Sequence, residues 1–144
     1  MLHIFNVYFY NGGIGHQNNT FKYYIMKNIQ FDNTILGEPE IKFTVDKENF
    51  INLWIGSFDE LMELGKPMAN GKWDNFLLHY HMNDGFYNEP NWVIPSIQDY
   101  LNSITNIPIP DNTDNSEVKM VKDKLIDLFT SALMSNSEIK ISYF

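Results

Sequence analysis

The chain predicts an α+β fold with a mainly antiparallel sheet. Three observations lead there: β-patterned runs at both ends, a long helical stripe near the C-terminus, and turn signals dividing shorter patterns between them. The expectation is one domain over 1–144, with three to four helices, the longest near the C-terminus. A chain of 144 residues that is 44% hydrophobic can bury enough surface to fold without a metal or a disulfide.

Taken in order, MLHIFNVYFY (1–10) is rich in aromatic and β-branched residues and reads as a buried strand. Asn11-Gly12-Gly13 breaks it, and a second β-like run spans Phe21 to Phe31, making a long hairpin with its loop at 11–20. In EIKFTV (40–45), Ile41, Phe43 and Val45 alternate with Lys42 and Thr44, the pattern of a half-buried strand. Asp46 reads as the N-cap of a short helix over 47–54. Ser57-Phe58-Asp59-Glu60 matches a capping box and predicts a helix running toward Gly65.

Residues 66–72, with Pro67 and Gly71, form a turn, and WDNFLLHYHM (73–82) reads as a long strand ended by Asn83-Asp84-Gly85. The stretch 86–95 holds two prolines and is expected as an ordered loop or a broken edge strand. Ser96 caps a short helix over 96–104, and 107–116, with Pro108 and Pro110, is a linker. Val118, Val121, Leu125, Leu128, Phe129 and Ala132 then mark one face of the longest helix, 117–134. The closing EIKISYF alternates again and joins the sheet. No internal repeat is present.

Charge and composition restrict function. All ten basic side chains are lysine, and 18 acids leave a net charge of −8. Arginine is the preferred residue for bidentate phosphate and base contacts, so direct nucleic-acid binding is not expected. The residue usage, with alanine only at Ala69 and Ala132, also fits an AT-rich coding bias, which contributes to the missing arginine. With no cysteine, disulfides, thiol nucleophiles and zinc knuckles are excluded. The apolar run Leu2–Tyr10 follows no basic segment and is too short to span a bilayer, so a soluble cytoplasmic protein without a membrane partner is expected.

No motif compels catalysis. Gly12-Gly13-Ile14-Gly15-His16 lacks the third glycine of a dinucleotide loop, because Asn18 takes its place. No G-x-S-x-G elbow occurs, and Ser57, Ser96 and Ser116 read as helix caps. On a strand, His79 and His81 would face the same side and offer two imidazoles to one metal, with Asp84 and Glu89 able to complete the set. That defines the alternative reading, a small metal-dependent enzyme or ligand-binding domain. No cofactor is otherwise indicated, and no catalytic residue is assigned.

The densest functional signal is aromatic and acidic. Trp73, Asp74, Asp84, Tyr87, Glu89 and Trp92 crowd one segment, and Asp59, Glu60 and Glu63 form an acidic edge on the helix before it. Large rings anchor protein interfaces, and surrounding acids steer a basic partner toward them. In size, acidity and lack of catalytic motif the chain resembles bacterial toxin-immunity proteins of the contact-dependent growth inhibition type. The resemblance implies a cognate protein toxin, often a basic nuclease domain, neutralised by an acidic surface. An inhibitor of phage origin would share the same charge logic.

Overall fold

The computed structural model describes residues 29–30, 37–111 and 116–144. The predicted hairpin over 1–31 and the glycine loop at 12–16 lie outside them, apart from β1 (Ile29–Gln30). β2 (Glu40–Thr44) and β3 (Phe50–Trp54) form an antiparallel hairpin, with Phe43 opposite Ile51 and Ile41 opposite Leu53. With β4 (Trp92–Val93) and β5 (Lys140–Tyr143), the sheet order is β1-β3-β2-β5-β4. Among the described residues only the β1–β3 pairing is parallel. Among the described residues four helices accompany the sheet: α1 (Ile55–Glu63), α2 (Asn75–His81), α3 (Ile97–Thr105) and α4 (Ser116–Met134). The fold is α+β, and its longest helix lies near the C-terminus. Among the described residues no helix is long and apolar enough to cross a membrane.

The expected strand 40–45 and the helices near 96–104 and 117–134 are present. Ser96 accepts the backbone N–H of Asp99 at 3.3 Å, as an N-cap does. All six predicted stripe residues of α4 are buried. They meet Ile41, Phe43, Ile51 and Leu53 from the sheet, and Phe58 and Leu61 from α1. Phe76 is fully buried and stacks on Tyr100 with ring centres 4.6 Å apart and planes 8° apart. Burying rings of this size contributes about 1.5–3 kcal/mol each, so the Phe43, Phe58, Phe76 and Phe129 cluster is a principal source of stability.

Three expectations are corrected. Residues 47–54 form a turn and then β3, not a helix. The Asp46 carboxylate accepts the N–H groups of Glu48 and Asn49 at 2.8 and 2.9 Å, which closes the β2–β3 turn. Ser57 is not an N-cap. β3 runs directly into α1, whose N-cap is Trp54, and Ser57 sits inside the helix, donating to Glu117 Oε1 of α4 at 2.7 Å. Gly56 makes that junction possible, because a Cβ there would lie 2.2 Å from the Trp54 ring. The segment 73–82 contains a helix, not a strand. Neighbours Phe76 and Leu77 are both buried while Leu78 is 41% exposed, which strand alternation forbids and helical spacing requires. The expected linker is held to the core at its start: Ile107 is buried, and Lys122 Nζ donates to the Thr105 and Ile107 carbonyls at 2.9 and 2.6 Å.

Candidate functional site

Asp59 and Glu63 are one turn apart on α1 and so share a face. That face borders a cleft of about 370 Å³. Ile55 belongs to the same helix, Tyr80 and His81 enter from α2, and Asn83 lies in the turn beyond it. Tyr87 and Tyr143 complete it from the 3-10 turn at Gly85–Tyr87 and from the end of β5. The Tyr80 hydroxyl donates to Glu63 Oε1 at 3.0 Å and also lies within reach of Asp59. Tyr87 meets Tyr143 edge-on at 5.3 Å and Tyr80 at 6.4 Å.

Burial pushes the Asp59 carboxyl above its ordinary 3.8, helped by the charge on Glu63 and opposed by the Tyr80 hydrogen bond. Burial likewise raises the Tyr80 phenol far above its usual range, reinforced by its bond to Glu63 and by both carboxylates. Tyr87 rises for the same first reason, with Asp59 and Tyr143 adding to it. Both phenols therefore stay neutral and keep their protons as hydrogen-bond donors. Among the described residues no lysine lines the cleft, and the ion pair seen there, Lys119 with Asp123, lies elsewhere on α4.

The predicted site residues divide. Asp59, Glu63 and Tyr87 converge on the cleft. Trp73 is half-buried and supports it from behind, stacked on His81 with centres 3.7 Å apart. Glu60 and Glu89 are exposed and do not line the cleft. Asp74 is turned inward, accepting from the buried Ser103 hydroxyl at 3.0 Å. Trp92 and Asp84 belong to a second group across α2. There Trp92 Nε1 donates to the Tyr100 hydroxyl at 3.4 Å, and that hydroxyl shares a hydrogen bond with His79 Nδ1. Gly85, at φ +63°, lets the Trp92 ring close over the turn, since a Cβ there would come within 3.1 Å of it.

The paired-imidazole reading is corrected with the strand it assumed. On a helix, residues two apart point in nearly opposite directions. His79 engages Tyr100 while His81 stacks on Trp73. Among the described residues no three His, Asp or Glu side chains gather as a metal site.

Tyr80, His81, Asn83 and Tyr143 join the cleft without having been assigned to the partner surface. Tyr143 carried a readable signal: alternation in EIKISYF places it on the same face as buried Ile139 and Ile141. Tyr80 sits four residues after Phe76, the spacing of a shared helix face, but that signal appears only once 73–82 is read as helical. Compared with protein-family models, curated proteins and solved structures, the chain matches none.

Proposed function

We propose that this chain is a cytoplasmic immunity or inhibitor protein that binds and neutralises a cognate basic toxin domain, a nuclease by preference, through an acidic and aromatic surface. The observation that carries the reading is the cleft, where Asp59 and Glu63 stand against three tyrosine rings with, among the described residues, no lysine beside them. A net charge of −8 extends its attraction outward. A cationic surface that binds phosphate groups is the natural complement of such a site, and covering it would block nucleic-acid access. The half-buried Trp73 supports the ring wall rather than serving as an exposed anchor.

The test begins with purification of the chain from its native strain, with identification of what co-elutes. The expected partner is basic, and its association slows steeply as salt rises. Reversing both charges, Asp59→Lys with Glu63→Lys, should lower the association rate roughly tenfold at low salt. An acidic partner, or an association rate indifferent to both salt and the double reversal, overturns the reading.

A further inference from the structure

The cleft carries two carboxylates and, among the described residues, no lysine, and this charge imbalance specifies its occupant. Asp59 and Glu63 together present four carboxylate oxygens. The Tyr80 hydroxyl lies between them with one proton, which it gives to Glu63. His81 lines the same cleft, and its Nε2 is buried with no hydrogen-bond partner among the described residues. A ligand that suits these groups is positively charged, carries several N–H donors and is small enough for about 370 Å³. It must also tolerate aromatic walls on the sides formed by Tyr80, Tyr87 and Tyr143.

We propose that the cleft seats one arginine side chain of the basic partner, its guanidinium held by Asp59 and Glu63 and its plane laid against the tyrosine rings. The source of that side chain rests on the neutralising reading above; the chemistry of the seat does not. Guanidinium is favoured over ammonium for three reasons. It offers five donors in a planar fork, which two carboxylates a helical turn apart can share. Its flat, weakly hydrated face stacks on aromatic rings, whereas ammonium is compact and strongly hydrated. It also keeps its charge at any pH at which the fold exists.

The seat is tested first on the purified chain with small probes. Tyrosine ring signals are followed by NMR during titration with Nα-acetyl-arginine amide, its uncharged isostere Nα-acetyl-citrulline amide, and Nα-acetyl-lysine amide. Saturable shifts of Tyr80, Tyr87 and Tyr143 are expected with the arginine compound at about millimolar concentration. The lysine compound should bind several-fold more weakly and citrulline should produce no saturable shift. Asp59→Asn with Glu63→Gln should abolish the response while the rest of the spectrum stays dispersed. Tyr87→Leu, which keeps both acids, should weaken it. Equal binding of citrulline, tighter binding of lysine, or no shift at all overturns the assignment.

The complex separates this inference from the reading beneath it. With the basic partner in hand, the Asp59→Asn, Glu63→Gln variant should dissociate at least tenfold faster. An unchanged dissociation rate overturns the seat and leaves the neutralising reading standing. If no basic partner exists, that reading falls, and the probe titration alone decides the seat.

Discussion

His79 and His81 stand two residues apart on α2, and each meets an aromatic ring with an acid nearby, yet their surroundings have opposite characters. Around His79 the polar groups satisfy one another: Tyr100 takes the Trp92 N–H and shares a hydrogen bond with the imidazole, while Asp74 takes the Ser103 hydroxyl below them. Around His81 the groups do not close. Among the described residues no lysine stands beside the two carboxylates, and the imidazole Nε2 has no hydrogen-bond partner. Residue type alone therefore does not mark a binding site. A satisfied set ties elements together; an unsatisfied one leaves interactions for something else to make.

The largest test of this division is Phe76→Ala. Phe76 underlies the closed side through its stack on Tyr100 and reaches Phe43, Phe58, Phe86 and Phe129 in the core. Its truncation should cost about 3–5 kcal/mol in urea unfolding. A cost near that of a surface change would mean that the closed side does not anchor the fold.

Smaller, and aimed at the hydrogen bonds themselves, is Tyr100→Phe. It removes the oxygen that Trp92 and His79 share at a position only 2% exposed, so two polar groups lose their partner. The expected loss is about 1–3 kcal/mol, seen as a lowered urea midpoint and altered Trp92 fluorescence. Glu63→Gln, on the open side, should stay within about 0.5 kcal/mol of the parent. Comparable losses from both variants would erase the distinction between the two sides.

Much of the fold was legible because its signals repeat. Helix α4 shows its stripe over about four turns, and the segment through β5 alternates at Ile139, Ile141 and Tyr143. Helix α2 has seven residues, too few for one periodic face to outweigh the β preference of its rings. Asp46 misled for a different reason. Its carboxylate accepts N–H groups two and three residues ahead, and that local bond opens a helix or closes a hairpin turn equally well. The residues downstream decide between the two: in β3 Ile51 and Leu53 are buried while Phe50, Asn52 and Trp54 between them are half-buried. For the site, the sequence singled out Asp59 and Glu63, which line the cleft, together with residues that do not. Asp74 and Trp92 are committed to the closed side, and no one-dimensional pattern shows that Ser103 and Tyr100 wait for them across α3.

The finest test compares two acids. Asp59, in the open cleft, is held above its ordinary 3.8 chiefly by burial, so folding disfavours its charged form. Asp84, at the closed side, is held below 3.8 first by the Gly85 N–H, then by the Asn88 side chain, with His79 contributing. The signs of their linkage therefore oppose each other. Ionised Asp59 weakens the fold at neutral pH, and this penalty fades as pH falls through its raised pKa. Asp59→Asn should accordingly be more stable than the parent at neutral pH and lose that advantage on acidification. Ionised Asp84 strengthens the fold above its unfolded value, and that contribution disappears as pH falls through its lowered pKa. Asp84→Asn should be slightly less stable at neutral pH and converge with the parent in stronger acid. Urea midpoints at stepped pH measure both differences. Two differences of the same sign would show that the open and closed sides treat charge alike, and the contrast between them would fail at its electrostatic root.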